Sequence, residues 1–243
     1  MNQLQLIKEG LLGLLFPEVC QVCKDAHAMA EQGYVCVDCR AALRCVERPF
    51  CERCGLPFQG EVTVSFQCPN CHELELHFES ARSVFTAEGV GRDLIHRYKY
   101  ERALWFEPLF AELLRGSMSA VVRTGRWDCV VPVPLHPAKL REREFNQAER
   151  IAELITKNTE LPLRLDLLRR VTHTDTQTKL TRAERAANVR SAFTGVEGKS
   201  IPAQRVILVD DVFTTGATTN ACAEVLREAG ASVVCVWTLA RGV

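Results

Sequence analysis

The chain has 243 residues, 47% hydrophobic and 25% charged, which is enough apolar material for one large domain or a domain with a small companion. Its 30 Lys and Arg balance 30 Asp and Glu, so no global field recommends nucleic acid or membrane, and any such binding must come from local patches. No segment is long and apolar enough to span a bilayer, and no basic stretch, clean apolar run and small-residue cleavage site combine into an export signal.

Residues 1–19 read as an amphipathic helix. Leu4, Ile7, Leu11 and Leu15 share one helical face, suited to packing on the rest of the protein or to a partner or membrane surface.

Residues 20–71 form a cysteine module. Nine of the 12 cysteines lie here, eight of them in C-x-x-C pairs: Cys20/Cys23, Cys36/Cys39, Cys51/Cys54 and Cys68/Cys71. A C-x-x-C turn presents two thiolates to one metal, and a hairpin-length gap brings a second turn alongside to complete a tetrahedron. The near-equal spacing points to a duplicated zinc ribbon with two structural zinc ions, pairing 20–39 and 51–71. A cross-braced arrangement also satisfies the spacing. Disulfides are disfavoured in a chain without a secretion signal. Cys45 is left over as a free or buried thiol. A structural role for the ribbons is the plain expectation, and docking of single-stranded nucleic acid or a partner is the sharper one.

Residues 81–243 alternate strand and helix signals, as in a parallel sheet flanked by helices. Trp105, Phe106 and 109–114 look like core helix. The β-branched runs 128–135, 205–211 and 232–239 predict strands, and 140–155 and 217–229 predict helices. The uninterrupted apolar run Val206–Val209 suits a central strand buried on both faces.

The segment Val206–Thr218 reads V-I-L-V-D-D-V-F-T-T-G-A-T. Asp210 and Asp211 stand at the strand end, where α/β proteins bind ligands, and can accept hydrogen bonds from ribose hydroxyls or attract a magnesium ion. Thr214, Thr215, Gly216, Ala217 and Thr218 lead into a helix, where backbone N–H groups and hydroxyls can wrap a phosphate. Upstream, Pro132–His136 is followed by Lys139, Arg141 and Arg143, cations near a strand's carboxyl end that suit a pyrophosphate. Glu142, Glu144 and Glu149 interleave with them, as on a solvated helix.

The segment resembles the 5-phosphoribosyl-1-pyrophosphate motif of type I phosphoribosyltransferases. That resemblance implies a phosphoribosyltransferase-like fold, with Asp210 and Asp211 as the catalytic pair holding the ribose and Thr214–Thr218 holding the 5′-phosphate.

Two further blocks, P-V-P-L-H-x-x-K-L-R-x-R-x-F-N-Q from Pro132 to Gln147 and T-D-T-Q-T-K-L from Thr174 to Leu180 with Arg185, Asn188 and Phe193 after it, resemble the ComF family of competence-associated proteins, which includes GntX-like proteins. The double ribbon fits the same family.

One departure stands out: the family commonly has Gly where this chain has Glu144, which stiffens the loop and adds negative charge beside the expected pyrophosphate. The resemblance implies a cytoplasmic protein with a role near DNA uptake or nucleotide metabolism, and the first reading is that it binds phosphoribosyl pyrophosphate with magnesium and transfers phosphoribosyl to a nitrogenous acceptor, linked to competence. It makes 174–188 a loop that closes over the site, with Gln177 and Arg185 beside Lys139 and Arg143 as substrate-binding residues. Two other readings use the same residues: single-stranded DNA handling with the competence machinery, for which the basic stretch 169–190 is the best feature, and a ligand sensor without turnover. That stretch has no aromatic residue on which bases could stack.

Overall fold

The computed structural model describes residues 18–60, 66–72, 75–172 and 191–243. The predicted N-terminal helix therefore lies outside the described residues except for Glu18 and Val19, and Val19 bridges His27 in an extended pair. Gln177, Arg185 and the expected closing loop 174–188 also lie outside them.

Two short helices, α1 (Val37–Ala41) and α2 (Pro69–His72), each begin within a cysteine pair. The larger part follows in the order β1 (Ser80–Thr86), α3 (Gly89–Tyr100), α4 (Glu107–Gly125), β2 (Cys129–Pro132), α5 (Pro137–Arg143), α6 (Gln147–Thr159), β3 (Leu168–Arg170), β4 (Phe193–Gly195), β5 (Arg205–Phe213), α7 (Ala217–Glu228) and β6 (Val233–Arg241). Strands β1, β6, β5 and β2 form one parallel sheet in that order, and β3 pairs with β4 as a small antiparallel ribbon.

The expected parallel sheet between helices is present, and the alternation along β5 explains it. Successive side chains point to opposite faces. Val206 and Leu208 pack with Ala221, Cys222 and Leu226 of α7, whereas Ile207 and Val209 pack with Leu94, Phe110, Ile151 and Ile155 of α3, α4 and α6. All four β5 residues are fully buried, as the apolar run predicts.

Both sheet edges are covered. Val46 N–H donates to Val84 O (2.9 Å) and Ala81 N–H to Arg53 O (2.7 Å) along β1. At the other edge Val130 N–H donates to Pro162 O (2.9 Å) and Arg164 N–H to Val130 O (2.9 Å).

Three sequence readings change. Strand β2 stops at Pro132, short of the predicted 135, and prolines at 132 and 134 bring no N–H to a ladder. The single helix predicted over 140–155 is two helices. Glu144 ends α5 in the left-handed region (φ +66°), and the Asn146 side chain caps α6 by accepting from Ala148 N–H (3.1 Å). Finally, β5 runs through the Asp pair to Phe213 rather than stopping at Asp211. Trp105 is partly exposed, while Phe106, Leu109, Phe110 and Leu114 are core, as expected.

Candidate functional site

The cysteines gather as two four-sulfur groups, Cys20/Cys23/Cys36/Cys39 and Cys51/Cys54/Cys68/Cys71, with all sulfurs of each group within 4.8 Å of one another. Neighbouring pairs are therefore sequential, not cross-braced. Contacts of 3.9 Å (Cys23–Cys36), 3.8 Å (Cys51–Cys71), 3.7 Å (Cys54–Cys68) and 3.6 Å (Cys68–Cys71) match the separation of about 3.8 Å in a tetrahedron with Zn–S bonds of about 2.3 Å. Backbone N–H groups support the sulfurs, Cys36 to Cys20 (3.3 Å) and Cys68 to Cys51 (3.2 Å). The donor set fits structural zinc at both places. Cys45 is a free, exposed thiol whose backbone bridges Phe85.

The two groups sit differently. The first packs in its own small apolar cluster, with Cys23 exposed. The second is part of the main core with Phe78, Ala81 and Phe213. Gly55, at φ +67°, lets its knuckle lie on β1, because a Cβ there would stand 2.6 Å from Ala81 O.

At the carboxyl end of β5 the two acids are consecutive, so their side chains leave opposite faces of the strand. Asp211 is buried and its Oδ2 lies 2.9 Å from Lys99 Nζ at the end of α3. Asp210 Oδ1 accepts from Asp211 N–H at 2.9 Å. Burial and the neighbouring Asp211 carboxylate push the Asp210 carboxyl up to about 7, against the opposing pull of Lys99 and Arg170. Burial, with Asp210 nearby, drives the Cys222 thiol well above its ordinary value.

The next residues form the loop. Thr214 and Thr215 are exposed, Ala217 and Thr218 half-buried. Thr215 Oγ1 accepts from Ala217 N–H (3.4 Å) and Thr219 Oγ1 donates to Gly216 O (3.0 Å). Gly216, at φ +80°, caps α7, and a Cβ on it would lie 2.5 Å from the Phe213 ring. Only glycine allows the chain to turn that closely over the ring. Exposed hydroxyls, first-turn N–H groups and the positive end of the α7 dipole are together suited to a phosphate.

Cations flank this end of the sheet. Lys139 and Arg143 stand four residues apart on α5 and so share a face. Arg143 donates to Gln147 Oε1 (3.2 Å) and covers the Tyr100 ring at 5.3 Å. Asn146 Nδ2 donates to Val133 O (3.0 Å), fixing the Pro132–Pro134 turn against α6. The Glu144 carboxylate is held by Arg102 at 2.8 Å, so its charge is answered on the surface.

Sequence reading missed two residues, Lys99 and Arg241, and marked a third, Arg170, only as part of the basic stretch 169–190. Lys99 faces Asp211. Arg170, on β3, is depressed by burial and by Arg143 while Asp210 pulls it back up, which puts all three within electrostatic reach. Arg241, buried at the end of β6, hydrogen-bonds the loop carbonyls of Phe213 (3.1 Å) and Thr214 (2.9 Å). No local pattern marks Lys99 or Arg241, because strand pairing and helix packing bring each in from a distant segment. Among the described residues, no helix is long and apolar enough to cross a membrane.

Comparison with known proteins adds the following. A family model described as a double zinc ribbon domain matches residues 11–75. The chain is 30% identical over 226 residues to Competence protein F of Haemophilus influenzae, covering 91% of this chain and 96% of that one. It is 28% identical over 233 residues to DNA utilization protein YhgH of Escherichia coli, covering 94% and 99%. Among solved structures, a hypoxanthine phosphoribosyltransferase from Staphylococcus aureus aligns with a TM-score of 0.36 at 14% identity, over 56% of this chain and 74% of the other.

Proposed function

Because the chain belongs to the competence protein F family, we propose that it binds 5-phosphoribosyl-1-pyrophosphate with magnesium and transfers the phosphoribosyl group to a nitrogenous acceptor, in a role tied to DNA uptake. The observation that carries the reading is one juxtaposition. Two carboxylates stand near the end of the central strand, two residues short of a glycine-turned loop at a helix N-terminus, with Lys99 at 2.9 Å from one of them.

Each part has a task. Thr214, Thr215 and Thr218 with the first N–H groups of α7 take the 5′-phosphate. Asp210 and Asp211 accept hydrogen bonds from the ribose hydroxyls, and Lys99, at 2.9 Å, orients Asp211. Lys139, Arg143 and Arg170 face the departing pyrophosphate. In transfer, the bond from ribose C1 to a pyrophosphate oxygen breaks and leaves with its electron pair. A nitrogen lone pair of the acceptor forms the new bond to C1, and the acceptor's proton passes to solvent. Positive charge develops on the ribose ring and negative charge on the leaving group, so fixed carboxylates on one side and cations on the other stabilise the transition state. Magnesium, when bound with the pyrophosphate, supplies further neutralisation of the leaving group.

All 12 cysteines are unbridged, which agrees with a reducing compartment, and we assign the protein to the cytoplasm.

The test is isothermal titration of the zinc-loaded chain with phosphoribosyl pyrophosphate and magnesium, beside Asp210→Asn/Asp211→Asn. Binding by the wild type and none by the double variant is the expected result; an unresponsive wild type sinks the reading. A second reading, single-stranded DNA handling without turnover, draws support from the relative named for DNA utilization. Salt-sensitive DNA binding that survives in the double variant, with no pyrophosphate released under any acceptor, would favour it.

A further inference from the structure

We infer that Arg241 is a positioning residue through which zinc at Cys51/Cys54/Cys68/Cys71 and ligand on the 214–218 loop reinforce each other's binding. The ligand half of this inference rests on the phosphoribosyl reading above. The zinc half rests on the contacts of Arg241 and on the charge of a four-thiolate zinc site.

Arg241 is buried, and its guanidinium has two sets of partners. On one side Nε donates to Cys54 O (3.2 Å) and Nη2 to Cys54 Sγ (3.7 Å). On the other, Nη1 donates to the carbonyls of Phe213 (3.1 Å), Thr214 (2.9 Å) and Gly242. The guanidinium also covers the Phe213 ring at 4.9 Å, and Gly216 is pressed against that same ring.

A zinc ion with four thiolates carries a net charge of about −2, since each ligand must be deprotonated. In a buried setting that charge calls for a cation, and among the described residues Arg241 donates to a sulfur of this group. With zinc in place, the thiolate cluster holds the guanidinium, and the guanidinium holds the two carbonyls from which the phosphate loop departs. Without zinc nothing binds the four sulfurs to one another, Cys54 is no longer a fixed point for the Arg241 fork, and the loop carbonyls lose their anchor.

A second tie runs in parallel. Asn220, in the first turn of α7, accepts from His77 N–H (2.7 Å) and donates to Glu75 O (3.0 Å), on the segment that leaves the ribbon. Among the described residues, the first cysteine group has no part in either tie: its contacts run to α3 and α4, through Arg97 to Gln21 O and Arg40 to Glu112.

Linkage makes the effect reciprocal: if zinc favours ligand, ligand must favour zinc by the same factor. The experiment challenges the full chain, loaded with two zinc ions, with a chromophoric chelator in the presence and absence of saturating phosphoribosyl pyrophosphate and magnesium. Cys23→Ser identifies the release phase of the first site. In the wild type, ligand should slow release from the second site about fivefold or more and leave the first unchanged. Arg241→Gln should speed second-site release and abolish its response to ligand. Arg241→Lys, which keeps the charge but not the fork, should recover retention of zinc without recovering the ligand response. A residue that merely stabilised the fold would not separate the two.

If the wild type binds ligand and second-site release does not change, the inference is overturned, whatever the variants do. If the wild type binds no ligand, the phosphoribosyl reading fails, and amide hydrogen exchange across 214–218 then decides the inference. Faster exchange in Cys54→Ser but not in Cys23→Ser upholds the tie from zinc to loop, and equal exchange removes it.

Discussion

Ligand affinity should rise with pH through neutrality, and the cause is Asp210. Its carboxyl is pushed up to about 7 by burial and by the Asp211 carboxylate. Titration around such a value leaves about one molecule in ten ionised at pH 6 and about nine in ten at pH 8. Only the carboxylate accepts two hydroxyl hydrogens, so the dissociation constant for phosphoribosyl pyrophosphate with magnesium should fall about tenfold over that range. The ligand's own phosphate also titrates near pH 6, so part of any trend belongs to the ligand. Asp210→Asn separates the two, because only the ligand's share survives in it.

Stability gives an independent readout with the opposite sign. The folded carboxyl titrates above its unfolded value, so between about pH 4 and 7 the folded state holds a proton that the unfolded chain has lost. Unfolding free energy contributed by this group therefore decreases as pH rises across that window and is flat above it. Titration calorimetry at pH 6, 7 and 8 and urea unfolding at pH 5 and 7.5 measure the two effects. The same pH slope in wild type and Asp210→Asn, in both assays, would refute the assignment of a raised carboxyl to this position.

Other outcomes follow from particular contacts. Gly216→Ala forces an L-residue to φ +80° and its Cβ into the Phe213 ring, so stability should fall by about 1–3 kcal/mol and the ligand titration should weaken; an unchanged melting temperature and affinity would show that the loop turns some other way. Glu144→Gly removes backbone strain of about 1 kcal/mol at φ +66° and gives up an exposed ion pair worth less, so the melting temperature should rise by about 2 °C; a fall would mean that the Arg102 pair outweighs the strain. Cys68→Ser should lower the melting temperature of the main transition more than Cys23→Ser, because Cys68 belongs to the core cluster under the sheet and Cys23 does not; equal losses by calorimetry would contradict that difference. Tyr98→Phe leaves Glu107 with Arg150 but without the Tyr98 hydroxyl (3.1 Å), which should cost about 1 kcal/mol by urea unfolding, and no cost would mean the hydroxyl contributes nothing.

The cysteine pairs and the Val206–Thr218 segment were legible because their chemistry is local: a C-x-x-C turn and a strand–loop–helix each carry their partners within a few residues. The uninterrupted apolar run in β5 also declared a strand buried on both faces. The break at Glu144–Asn146 was not legible from propensity. Arg, Glu and Gln are good helix formers, and the helix stops there because Asn146 is committed to Val133 O and to capping α6. Lys99 and Arg241 escaped for another reason, and Arg170 was marked only as one charge of the basic stretch 169–190. Each reaches the site only after α3 packs on the sheet, β3 pairs with β4, or β6 pairs with β5, and nothing near them in the chain names the partner.

The covered edge of β1 bears on how the protein is made. Parallel pairing sets Ser80 beside Cys235, 155 residues later, so the inner edge of β1 stays unpaired until those 155 residues have left the ribosome. Its outer edge need not wait. Val46 and Arg53, already synthesised, supply its hydrogen bonds, and zinc can fold the ribbons that carry them while translation continues. A cell short of zinc would then leave β1 with both edges open for the length of synthesis, an aggregation hazard carried by the nascent chain rather than by the finished protein.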